Sequence, residues 1–110
     1  DSDLHDYRSI IRSIHIEEKI ASYIASIVAQ TRKSGDLYLG ASPRASIAIM
    51  MGSKSLAAIR GRDFVIPDDV KEIVFPALRH RIILTAEKEM EGKTIDDIIR
   101  LILNRVEVPR

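Results

Sequence analysis

Gly40-Ala41-Ser42-Pro43-Arg44-Ala45 reads as the start of a helix. Ser42 is an N-cap candidate, its hydroxyl able to accept from a first-turn N–H. Pro43 then falls at the first helical position, where a missing N–H costs nothing and φ is already set. Arg44 in the first turn goes against the electrostatics. The N-terminus of a helix carries partial positive charge and disfavours a cation by roughly 0.3–1 kcal/mol. Free N–H groups beside a guanidinium nevertheless suit a phosphate. The plainer reading is a solvated arginine on a capped helix, and taken alone the six residues favour it.

Outward from this point the chain reads as helices. The spacing of Leu4, Tyr7, Ile11 and Ile14 predicts a short amphipathic helix over 3–13, capped by Ser2 or Asp3. Ile16, Ile20, Tyr23, Ile24, Ile27 and Val28 share one face of a second helix. Its acids Glu17 and Glu18 come first, Arg32 and Lys33 come last, and Gly35 follows as the C-cap. Residues 34–41 read as a loop that packs down through Leu37, Tyr38 and Leu39. The third helix runs from Pro43 to about Arg60, with Gly61 ending it. Ala45 to Met51 is apolar almost all round, which predicts a central buried helix. Arg62 to Ile66 reads as extended. Pro67-Asp68-Asp69 opens a fourth helix with apolar positions Val70, Ile73, Val74 and Leu78, and Pro76 is expected to break or kink it near Phe75. Residues 79–84 form a second extended piece, expected to pair with 64–66. Residues 85–93 are partly helical and end in a charged loop at Gly92. Thr94-Ile95-Asp96-Asp97 is a capping-box-like start for a last helix, which Pro109 follows. The expected core centres on Ile20, Ile24, Ile27, Ile47, Met50, Met51, Ile73, Ile98 and Ile102, and truncating a central isoleucine such as Ile47 should cost about 2–5 kcal/mol.

The fold class that follows is all-α, a small bundle of about five helices with at most a minimal strand pair, in one domain over 1–110. A length of 110 residues, 45% hydrophobic and 30% charged, suits one soluble globular domain with a modest core. The net charge of +1 supplies no basic field for nucleic acid or anionic lipid. With no cysteine there is no disulfide scaffold or thiolate metal site, which fits a reducing compartment. No apolar run approaches the ~18 residues of a membrane span. The chain starts at Asp1 rather than Met, which reads as a piece of a longer protein.

Few motifs carry chemistry. Met51-Gly52-Ser53-Lys54-Ser55 lacks the Gly-Lys pair of a Walker A loop and falls inside a helix. His5, His15 and His80 show no metal-ligand spacing, so no metal site is expected. Asp68-Asp69 and Asp96-Asp97 are explained as first-turn acids facing helix dipoles. No nucleophile elbow is present. Arg79-His80-Arg81 is the one basic cluster, read as a solvated rim or ion pairs, with a partner-domain contact as the alternative.

Five signals nevertheless follow one another in order: Thr31-Arg32; Gly40 to Ala45; Gly61-Arg62-Asp63-Phe64-Val65-Ile66-Pro67-Asp68-Asp69-Val70; His80-Arg81; and Val106-Glu107-Val108-Pro109-Arg110. Together they resemble the C-terminal helical lid domain of MoxR-type AAA+ ATPases over nearly the whole chain, with Phe64 where a tyrosine is common. The resemblance implies an α/β nucleotide-binding domain upstream, with ATP and Mg2+ bound there and none held by this domain alone. It implies that Arg44 is the sensor 2 arginine that approaches the phosphates, that Ser42, Pro43, Arg79, His80 and Arg81 are interdomain contacts, and that no catalytic residue lies in this stretch. It further implies a cytoplasmic parent ATPase in a hexameric ring, with chaperone-like work on client proteins. The rival expectation is a histone-like or helix-turn-helix nucleic-acid module. The low net charge opposes it, because phosphate contacts need clustered Lys and Arg.

Overall fold

Ile20, Tyr23, Ile24, Ile27 and Val28 are all buried on one side of helix α2 (Glu18–Lys33), and the other elements assemble around them. The computed structural model describes the backbone of residues 2–110 and all side chains except those of residues 1–7, Tyr38 and Leu39. The expected contacts of Leu4, Tyr7, Tyr38 and Leu39, the caps at Ser2 or Asp3, and His5 therefore lie outside the described residues. Helix α1 (Ser2–Ser13) precedes α2. Strand β1 (Leu37–Leu39), α3 (Arg44–Ile59), α4 (Pro67–Leu78), β2 (Ile83–Leu84), the short α5 (Ala86–Met90) and α6 (Ile95–Arg105) follow it. Helix α2 packs against α3, α6 and β1, and α3 packs along α4. From α6, Ile98, Ile99 and Ile102 complete the core. The fold is all-α with one minimal strand pair.

Several local expectations hold for the stated reasons. Gly61 takes φ +77°, and the N–H groups of Gly61 and Arg62 return to the Ala58 and Ala57 carbonyls at 3.0 and 2.9 Å. This is a Schellman ending of α3, which needs the left-handed conformation that glycine adopts freely. Thr94 and Asp97 form a reciprocal capping box at α6. The Thr94 hydroxyl accepts from the Asp97 N–H at 3.1 Å, and the Asp97 carboxylate accepts from the Thr94 N–H at 2.9 Å.

Others are corrected. Residues 83–84 pair antiparallel with 37–39, not with 64–66, with Leu37 opposite Leu84 and Leu39 opposite Ile83. Phe64 instead makes an isolated parallel bridge to His15, with the Val65 N–H donating to the His15 carbonyl at 3.0 Å. Pro76 neither breaks nor ends α4. It lies on the exposed side, where water can satisfy the carbonyl one turn back. Gly35 is not a left-handed C-cap, since the chain leaves α2 through an extended Ser34. Helix α3 is not buried all round. Only Ala45, Ile49, Ser53 and Ala57, spaced by four, are buried, while Ile47 is 63% and Met51 49% exposed. The small side chains on the inner face let α3 approach α4 closely: a methyl group at Gly52 would come within 2.7 Å of Ile73 Cγ2. The core cost expected at Ile47 therefore belongs to Ile49.

Candidate functional site at the head of helix α3

The end of α2 fixes the segment that leads into α3. The Thr31 hydroxyl donates to the Val28 carbonyl at 2.6 Å and accepts from the Ala41 N–H at 2.9 Å. Arg32 Nε donates to the Ala41 carbonyl at 3.0 Å. Both polar backbone groups of Ala41 are thus held by two consecutive residues of α2. Gly40 makes this crossing possible, because a Cβ there would lie 2.7 Å from the Thr31 carbonyl oxygen and 2.9 Å from Arg32 Cα. Thr31-Arg32 and Gly40-Ala41, nine residues apart in sequence, are one clamp.

Beyond the clamp the chain emerges to solvent. Ser42, Pro43 and Arg44 are exposed. The expected Ser42 cap does not form, since no side chain caps α3. The turn is closed by backbone instead, with the Ala45 N–H donating to the Ser42 carbonyl at 3.0 Å and the Ser46 N–H to the Pro43 carbonyl at 3.1 Å. Pro43 has helical dihedrals, φ −56° and ψ −26°, and offers no N–H. The number of open N–H groups is therefore smaller than the sequence implied. What the head of α3 offers an anion is the guanidinium of Arg44 with the helix dipole behind it. Arg44 has no hydrogen-bond or ion-pair partner among the described residues.

Arg79-His80-Arg81 divides in two. Arg79 grips Asp96 with both ends of its fork, Nε to Oδ1 at 2.9 Å and Nη2 to Oδ2 at 3.0 Å, tying the end of α4 to the start of α6. These hydrogen bonds are the main reason the Asp96 carboxyl is held below, and the Arg79 guanidinium above, its ordinary range. Arg79 therefore serves this fold first. His80 and Arg81 are exposed and have no side-chain partner among the described residues. The strand pair brings them towards the clamp: because Leu39 sits opposite Ile83, the chain from Arg81 enters β2 at the end where β1 leaves for Gly40.

Sequence reasoning missed the role of Asp69. Read as a first-turn acid, it is fully buried at the centre of a charged cluster. Arg62 Nη1 and Nη2 donate to its two oxygens at 2.7 and 2.6 Å, Arg60 Nη1 donates at 3.2 Å, and the Ile66 N–H at 3.0 Å. Arg60 also bonds Glu72, and the Arg62 guanidinium lies 5.8 Å from the centre of the Phe64 ring. Burial pushes the Asp69 carboxyl up, but the Arg62 hydrogen bonds, the Ile66 N–H and the charges of Arg62 and Arg60 together hold it below the usual carboxylate range. The spacing of Arg60, Arg62 and Asp69 was the available signal, and only the turn at Gly61 brings the three together.

No group of His, Asp and Glu among the described residues could hold a metal ion, and no helix is long and apolar enough to cross a membrane.

The family model for the AAA lid domain matches residues 29–102, which includes the clamp, the whole of α3 and the Asp69 cluster. The chain belongs to the AAA lid domain family. It is 37% identical to the uncharacterised protein YeaC of Bacillus subtilis over 90% of its own length and 31% of that protein. It is 34% identical to Chaperone MoxR1 of Mycobacterium tuberculosis over 98% of its length and 31% of that protein. A solved structure of a candidate ATPase from Cytophaga hutchinsonii superimposes with a TM-score of 0.86 at 34% identity, over 94% of this chain and 34% of that one. This is a lid of the MoxR type, and it spans about a third of the length of the relatives it matches.

Proposed function

We propose that this AAA lid domain closes over ATP and Mg2+ bound to a nucleotide-binding body elsewhere in its parent, with Arg44 as the sensor 2 arginine that reaches the phosphates. The observation that carries the reading is the head of α3: a cation placed where the helix dipole disfavours it, exposed and without a partner among the described residues, on a segment clamped by Thr31 and Arg32. In this reading Ser42 and Pro43 line the approach, and His80 and Arg81, with Arg79 held by Asp96, face the neighbouring domain. The parent is a cytoplasmic ATPase whose subunits assemble into a hexameric ring and couple hydrolysis to chaperone-like maturation of a client protein. The description of the Mycobacterium tuberculosis relative as a chaperone supports this last step. The lid by itself has no P-loop and does not hydrolyse ATP.

The test is ATP binding and turnover of the full-length parent. Arg44→Ala should remove a charge-assisted contact worth roughly 1.5–3 kcal/mol, or ~10- to 150-fold in affinity or turnover. Arg44→Lys should restore part of the loss, because an ammonium cannot reproduce the planar fork. Lys93→Ala, in the loop after α5, should behave as wild type. Wild-type affinity and turnover in Arg44→Ala would refute the assignment.

A further inference from the structure

We infer that the cleft between α4, α6 and the tail after α6 binds an extended segment of a partner protein, one that sets an aliphatic side chain beside a carboxylate. The tail runs from Val106 to Arg110. It leaves α6 in an extended conformation, with Val106 at φ −104° and ψ 127°. Val106 and Val108 are half-buried against the core and Glu107 between them is exposed, which is the alternation of a strand. Lys19 holds the far end through the Arg110 carbonyl. Between these two anchors the backbone is idle. Among the described residues, the N–H groups of Glu107, Val108 and Arg110 donate to no other residue, and the carbonyls of Val106, Glu107, Val108 and Pro109 accept from none. An extended chain with unpaired backbone is a template for one more strand.

The cleft beside the tail decides what that strand carries. It measures about 360 Å³ and is lined by Lys71, Arg100, Leu103, Asn104, Val106 and Val108. Ligand sites run from ~300 to ~1,000 Å³, so there is room here for a few peptide side chains. Leu103, Val106 and Val108 form an apolar wall. The two charged residues are both cations, and no acid lines the cleft. Arg100 uses Nη1 on Asp97 and keeps its other donors. Glu107 belongs to the opposite side of the tail by the strand alternation. An aliphatic side chain therefore meets the apolar wall, and a carboxylate next to it meets Lys71 and Arg100. A basic segment would meet like charge. No lining residue belongs to α3 or to the clamp, so the site does not depend on the role of Arg44.

The experiment selects phage-displayed random decapeptides on the full-length parent. The enriched peptides should pair Ile, Leu or Val with a neighbouring Asp or Glu. The best of them, made as a fluorescent synthetic peptide, should bind saturably. Lys71→Glu with Arg100→Glu should weaken it about tenfold or more, with ATP binding unchanged as the sign that the parent is folded. If that pair does not fold, Lys71→Gln alone should weaken it about threefold. Methylating every second backbone nitrogen of the peptide should abolish binding in one register and spare it in the other, because a strand pairs through one edge at a time. Arg44→Ala should bind the peptide as wild type does, so the two assignments fail separately. Selection that enriches no peptide, or enriches basic ones, overturns the proposal. So does affinity untouched by the Lys71 and Arg100 variants, or lost in both methylation registers. A consensus that matches the parent's own sequence would make this face a contact within or between parent subunits and overturn the assignment to a partner protein.

Discussion

The two ends of α3 are built on opposite terms. At its C-terminus every local requirement is met inside the fold: Gly61 closes a Schellman turn, and Arg60 and Arg62 converge on the buried carboxylate of Asp69, which also orients the start of α4. At its N-terminus no side chain caps the helix, and the nearest cation has no partner among the described residues. The backbone leading there is nonetheless held firmly, by Thr31 and Arg32 on Ala41. Firm backbone with an idle charge differs from a frayed end. It is the arrangement expected where a partner outside the fold completes the electrostatics.

Breaking the C-terminal end should have the largest effect on folding. Asp69→Ala leaves Arg60 and Arg62 facing each other without their shared anion. Removing one partner of a buried ion pair costs about 3–5 kcal/mol, and the partial exposure of both arginines puts this case near about 3 kcal/mol, read as the loss in unfolding free energy by urea titration. Next comes the clamp. Gly40→Ala pushes a methyl group against backbone atoms of Thr31 and Arg32, which cannot rotate away as a side-chain tip would. The expected loss is about 1–3 kcal/mol by the same titration, with weakened nucleotide binding in the parent because the head of α3 shifts.

Acid separates the two ends further. The Asp69 carboxyl is held below its ordinary range in the native state, so the unfolded chain binds more protons as pH falls. The contribution of Asp69 is fully present above the unfolded carboxylate pKa of about 4 and is lost as pH drops below it. Between pH 7 and pH 3 the wild type should therefore lose more stability than Asp69→Ala does. Asp96 and Asp97, also held low by their hydrogen bonds, give both proteins a common background slope.

The sequence made the helices legible because each carries its own boundary chemistry: Thr94 with Asp97 at α6, Pro67 with its acids at α4, Gly61 after α3. It misled wherever the deciding partner was distant. Ile83-Leu84 could not declare for Leu37–Leu39 over Phe64–Ile66, since short apolar runs pair by tertiary placement rather than by pattern. The run from Ala45 to Met51 looked buried all round because apolar composition does not say how many neighbours a helix has. Ile47 and Met51 lie outside the four-spaced inner face of α3, and their exposure was the more informative outcome. Arg44 stood out in the sequence through a local conflict, a cation at a helix start, and the structure leaves it exposed there. Asp69 did not, because an acid at a helix start conflicts with nothing and its arginines are joined to it only by the fold.

The most direct measurement is the unfolding free energy of this domain with Arg44 replaced by Ala and by Glu. If the guanidinium has no structural role, Arg44→Ala should leave stability unchanged or slightly raised. Arg44→Glu should raise it by roughly 0.3–1 kcal/mol, because the helix dipole then meets an anion. A loss of more than ~1 kcal/mol in either variant would mean that Arg44 is held by the fold itself, and the claim that it waits for an external anion would fail.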